Sequence, residues 1–144
     1  MAKTATAASV DSSTQDTGKL ILRVTLGVLI LLHGIAKISG GIDGIGGMLA
    51  KMGLPAALSY LVYVGEVLAP ALVILGVFTR PAALVIVVNM IVAVALAHSQ
   101  QLFSLGKTGG HALELQFMFL FAAVAVALLG AGRFSLGGLR GRWN

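Results

Sequence analysis

Residues 56–78 read AALSYLVYVGEVLAPALVILGVF, an apolar run that carries a single carboxylate, Glu66, and an internal proline, Pro70. A run of this length and polarity is long enough to cross the hydrocarbon core of a bilayer as a helix. Glu66 stands near its middle, in a chain with only five acidic residues. A carboxylate at the bilayer centre costs about 2.5 to 3.5 kcal/mol on insertion scales, so such a residue faces a protein interior and has a partner or a task. Pro70 lacks the N–H that would bond the carbonyl four residues earlier, which is that of Glu66. The helix is therefore expected to kink at its acid, with a free backbone acceptor beside it.

Outward from this run lie further apolar segments at residues 20–38, 82–98 and 112–130. The composition is 58% hydrophobic and 10% charged, with a mean hydropathy of +0.98, which excludes an ordinary soluble domain. The expected fold class is all-α, an integral membrane four-helix bundle spanning residues 19–136. Only Thr79, Arg80 and Pro81 separate the second and third segments, so these are expected to be antiparallel neighbours, with Pro81 in a first helical turn. Between the first two segments, Ile42, Ile45, Met48, Leu49 and Met52 recur at helical spacing among glycines. This predicts a short helix on the outer membrane surface, with an irregular flap as the alternative.

Residues 1–18 are rich in Ala, Thr and Ser without an apolar stripe and read as a disordered tail. They do not fit a signal peptide, because the first apolar run begins at Leu20 and has no small-residue cleavage site. Residues 137–144 read as a basic tail. Lys3, Lys19, Arg23, Arg80, Arg133, Arg140 and Arg142 fall on the side of the termini, against Lys37, Lys51 and Lys107 opposite. The positive-inside rule then places both termini in the cytoplasm of a bacterial cell whose inner (plasma) membrane holds the protein. The sequence pI of about 10.1 reflects this bias and contact with anionic lipid; no aromatic-interleaved basic stretch points to nucleic acid.

Cysteine is absent. Self-contained thiol and disulfide chemistry, thiolate metal sites and haem attachment through Cys are thereby excluded. A redox role requires a bound cofactor, a quinone-like molecule or a partner protein. His33, His98, His111 and Glu114 all belong to the outer half, but their spacing matches no metal signature, and no metal is expected.

The polar residues within the spans are few. Arg23, Gly27, Gly34 and Lys37 share a narrow sector of the first helix, with His33 at its edge. The glycines admit a close neighbour, while Arg23 and Lys37 sit near opposite ends, where snorkelling to the two interfaces is the simplest role. His33 is a candidate proton relay or carbonyl ligand, with an interfacial histidine bonded to water or a loop carbonyl as the alternative. His111 and Glu114 lie one turn apart at the start of the fourth helix, where Glu114 either acts with His111 or stabilises the helix N-terminus. Asn89 falls at the depth of Glu66 on the adjacent helix and is its expected hydrogen-bond partner.

Arg23, His33-Gly34 and Lys37, then Gly53-Leu54-Pro55, Gly65-Glu66, the stretch from Leu75 to Arg80, Glu114 and the stretch from Gly130 to Leu136 together resemble the DoxX family of small bacterial membrane proteins. The resemblance covers about Lys19 to Leu136. The terminal motif departs from the family pattern, with Ala131 where a proline is usual and Gly137 where an aspartate is usual. The resemblance implies a four-helix inner-membrane protein whose relatives are linked to membrane oxidoreductase systems, including a quinone-reducing thiosulfate oxidoreductase subunit and oxidative-stress complexes. It makes Arg23, His33, Lys37, Glu66, Arg80 and Glu114 site candidates.

The leading expectation is a membrane subunit of a redox system that binds quinone through His33, Glu66 and their neighbours, working with a soluble or membrane oxidoreductase. A non-catalytic scaffold for a soluble enzyme is the second reading. A small-solute or proton pathway, which would require a homo-oligomer to make room for a pore, is the third.

Overall fold

The computed structural model describes residues 2–106, 109–138, 141, 143 and 144, with residues 2–11 described at the level of the backbone. Helix α1 spans Ala2–Gly40 and α2 spans Asp43–Lys51. Helix α3 spans Ala56–Leu75, α4 spans Thr79–Ala97 and α5 spans Glu114–Leu129. Stretches Ser12–Gly40, Ala56–Leu75 and Thr79–Ala97 are long and apolar enough to cross a membrane, and α5 is a shorter apolar helix. The protein is an all-α membrane four-helix bundle in which α2 is an additional short helix.

Contacts link α1 to α3, α3 to α4, α4 to α5, and α5 back to α1, closing a ring. Its centre holds Leu26 and Ile30 of α1, Ala69 and Val73 of α3, Ala82, Ala83 and Ile86 of α4, and Ala123 and Val126 of α5. Large apolar side chains remain exposed on the outside, among them Ile21, Leu32, Val88, Met118, Phe121 and Leu128. Helices apolar all round, with alanines among the core contacts and an apolar exterior, are built for a lipid surround.

Several boundaries differ from those expected. Residues 2–18, read as a disordered tail, continue α1. The alanine content of this stretch favours helix, and an Asp16–Lys19 ion pair at 3.6 Å joins successive turns. Helix α3 stops at Leu75 rather than Phe78. Gly76 adopts a left-handed φ of 70°, and the bonds from Gly76 N to Val73 O and from Val77 N to Leu72 O form a Schellman stop. Thr79 and Arg80, expected as part of a connecting turn, instead begin α4, with Pro81 in its first turn as expected. Residues 137–144 are not a free tail at their described positions: Gly137 N donates to Gly76 O and the Asn144 side chain accepts from Thr79 Oγ1 at 3.0 Å. Lys107, Arg140 and Arg142 lie outside the described residues, as does the side chain of Lys3.

Candidate ligand-binding site

The proline of α3 imposes more than a kink. A 3-10 stretch at Ala56–Tyr60 leads into a π turn at Val64–Leu68, immediately before Pro70. Ala69 N bonds Val64 O, one residue further back than an α-helix allows. A π turn inserts one extra residue into the helical ladder and occurs frequently at functional sites. Here it carries Glu66, which is 5% exposed.

The neighbouring helices approach this turn at glycines. A side chain at Gly34 of α1 would collide with the Glu66 carbonyl, and one at Gly65 would collide with Asn89 of α4. These close approaches bring polar groups of both neighbours to the acid. Lys37 Nζ of α1 pairs with Glu66 Oε2, and Asn89 Nδ2 of α4 donates to Glu66 Oε1 at 3.3 Å. Tyr63 Oη adds a 3.3 Å bond to Lys37 O at the end of α1. Lys37 therefore does not snorkel away from the bundle. The lysine side chain keeps 28% of its exposure, whereas that of Glu66 keeps 7%. The pair thus connects a buried carboxylate to a partly open ammonium group.

Lys37, Glu66 and Asn89 form a polar cluster in the wall of a largely apolar cavity of about 790 Å³. Its walls come from α3, including Leu58, Leu61, Val62 and Val64, and from α4, including Leu84, Val88 and Val92. Ile45, Met48 and Leu49 of α2 complete it, and Ser59 and His98 also line it. Leu61, Leu84, Val88 and Val92 are among the exposed apolar residues, so the wall between α3 and α4 is continuous with the outer apolar surface of the bundle. An apolar chamber with a few convergent polar groups is the usual form of a small-molecule site.

Other sequence candidates lie elsewhere. Exposed His33 has Nδ1 2.8 Å from Leu29 O and rests edge-on against Phe119 at 5.8 Å. It does not line the cavity, because its position on α1 turns it towards α5. His111 bridges its own loop, with Nε2 2.9 Å from Leu102 O and Nδ1 accepting from Leu113 N at 3.0 Å. Glu114 Oε1 accepts from His111 N at 2.9 Å, which favours the helix-terminus reading for this acid. Among the described residues, no group of three or more His, Cys, Asp or Glu gathers in a metal-holding arrangement.

Arg23 and Arg80 hold the opposite end of the bundle together. Arg23 is 2% exposed. Its Nε donates to Ala131 O at 3.2 Å and its Nη1 to Val73 O at 3.0 Å. Further bonds run to Ile74 O and Phe134 O. These carbonyls lie in the last turn of α3 and in the segment after α5, where intrahelical donors have run out. Arg23 is a buried clamp and does not snorkel. Arg80 Nε donates to Asn144 O at 3.1 Å. Ser59 and His98 line the cavity although neither was among the ligand-site candidates. The sequence puts Ser59 on the Glu66 face of α3 and His98 in the outer half, but nothing in it showed that α2 and α4 stand off from that face.

The DoxX family model matches residues 18–99. A Bacillus subtilis (strain 168) protein named "Putative oxidoreductase CatD" is 27% identical over 114 residues, covering 79% of this chain and 80% of that protein. No solved structure matches the chain.

Proposed function

Because the chain belongs to the DoxX family of membrane proteins, we propose that it is the membrane subunit of a redox system and that the cavity between α2, α3 and α4 binds a quinone. The observation that carries this reading is the Lys37–Glu66–Asn89 cluster set into an apolar chamber. A quinone has an apolar body and carbonyl acceptors. Lys37 and Asn89 supply N–H donors for such an acceptor, and the acid holds both donors at the cavity wall. Reduction of a quinone adds electrons and protons at its carbonyl oxygens. Glu66 and the partly open Lys37 are groups able to pass those protons. The electrons come from an oxidoreductase partner, since a chain without cysteine has no thiol couple of its own. The protein acts from the bacterial inner (plasma) membrane, with both termini in the cytoplasm.

Titrating purified protein in detergent with a short-chain benzoquinone tests this reading. Saturable binding is expected, weakened about tenfold or more by Glu66→Gln through loss of the charged acceptor that orders the donors. Absence of saturable binding, or equal affinity in both proteins, would refute it. The scaffold reading draws support from the fact that Lys37 and Asn89 already satisfy the carboxylate. Under that reading Glu66→Gln lowers stability and partner recovery while no quinone binds.

A further inference from the structure

Ser59 is 5% exposed and lines the cavity, yet its hydroxyl makes no hydrogen bond among the described residues. Among the described residues no side-chain oxygen or nitrogen sealed from solvent lacks a hydrogen-bond partner, so the Ser59 hydroxyl opens into the cavity, where a ligand can meet it. Every other polar side chain in the chamber has a protein partner: Lys37 and Asn89 hold Glu66, and His98 Nδ1 lies 3.3 Å from Gln101 Oε1. The surroundings of Ser59 are small. Gly46 of α2 leaves room beside it, since a side-chain carbon there would still stand 3.8 Å from Ser59 Oγ. Ser59 and Glu66 are seven positions apart and so share one face of α3, about two turns from each other. Helical side chains lean towards the N-terminus, which carries the Glu66 carboxylate back towards Ser59.

We infer that Ser59 is a second ligand-contacting residue of this cavity, and that the ligand presents two polar groups across one ring-sized apolar body. One group meets the Lys37–Glu66–Asn89 cluster and the other meets the Ser59 hydroxyl, which both donates and accepts. This inference rests on the reading of the cavity as a quinone site and narrows it. A ligand with a polar group at one end only would leave the open Ser59 hydroxyl to water. A ring with oxygens at opposite positions satisfies both stations. Ser59 is then a specificity residue, since a site that hydrogen-bonds a ligand group discriminates against analogues that lack it.

The test compares two probes, a decyl-substituted benzoquinone and a decylphenol of the same chain length, on the unaltered full-length protein, Ser59→Ala and Glu66→Gln. Alanine already occupies positions 56 and 57 of the same 3-10 stretch, so Ser59→Ala is compatible with the local backbone. The expected result is that Ser59→Ala weakens the quinone about three- to tenfold, the effect of one hydrogen bond, and leaves the phenol unchanged. Equal loss for both probes, or no loss for either, overturns the inference. If Glu66→Gln still weakens the quinone in that case, the quinone site itself stands. Failure of the unaltered protein to bind the quinone removes both.

Discussion

Arg23 donates to carbonyls from two separate helix ends and has no acidic partner among the described residues. A planar, forked donor suits this arrangement, whereas a lysine offers one point charge. Arg23→Met is expected to destabilise the protein by about 3 kcal/mol or more, because buried carbonyls lose charge-assisted bonds. Arg23→Lys should fall between, and thermal unfolding in detergent measures both. At Glu66, removing one member of the Lys37 pair leaves the other charge uncompensated. Lys37→Met and Glu66→Gln should each destabilise more than expected from the double variant, with a coupling of about 1 to 3 kcal/mol in a double-mutant cycle. The sequence made Glu66 and Asn89 legible as neighbours because both interrupt apolar helices at the same depth. The partner of Lys37 and the burial of Arg23 were not legible, because a cation near a helix end fits the interface equally well. The packing of α3 at Gly34 accompanies the inward turn of Lys37, and the last turn of α3 together with residues 131 and 134 encloses Arg23.

At the scale of one element, α3 carries the site because it is irregular. Pro70 was visible in the sequence as a break beside Glu66, but a kink and a π turn are two different responses to the same missing N–H. The π turn coincides with close packing at Gly34 and Gly65. Pro70→Ala restores the N–H and permits an α turn, which would rotate residues N-terminal to it by about 100° relative to those beyond. This variant should keep or raise thermal stability while quinone binding falls at least several-fold; unchanged binding would show that the π turn does not position Glu66. Gly34→Ala should destabilise by about 1 to 3 kcal/mol, since the added methyl meets backbone rather than a flexible side chain. Helix α2 was legible from the spacing of Ile45, Met48 and Leu49. Its role as a cavity wall was not, since that role comes from its contacts with α3 and α4.

Across the whole molecule, hydropathy alone disclosed the bundle, because lipid permits apolar residues on every helix face and leaves long uninterrupted runs. The ends were less legible. Residues 2–18 and the described part of 137–144 look polar and unpatterned, yet the former extend a helix and the latter dock against Gly76 and Thr79. The burial of Arg23 and the pairing of Lys37 remove one cation from each side of the charge balance, and the remaining bias keeps its direction. A reporter fused after Asn144 should therefore be active in the cytoplasm; activity of a periplasmic reporter at that position would reverse the topology. On the proposed quinone reading, continuity of the cavity wall with the outer apolar surface gives the ligand a route within the bilayer, so affinity should depend on the apolar tail of the quinone. The most direct measurement is mass spectrometry of the small molecules that accompany the protein purified from native membranes in mild detergent, beside a Glu66→Gln variant. A quinone present in stoichiometric amount and lost from the variant is the predicted result. A protein that carries no quinone, or one retained equally by Glu66→Gln, would contradict the assignment of this cavity.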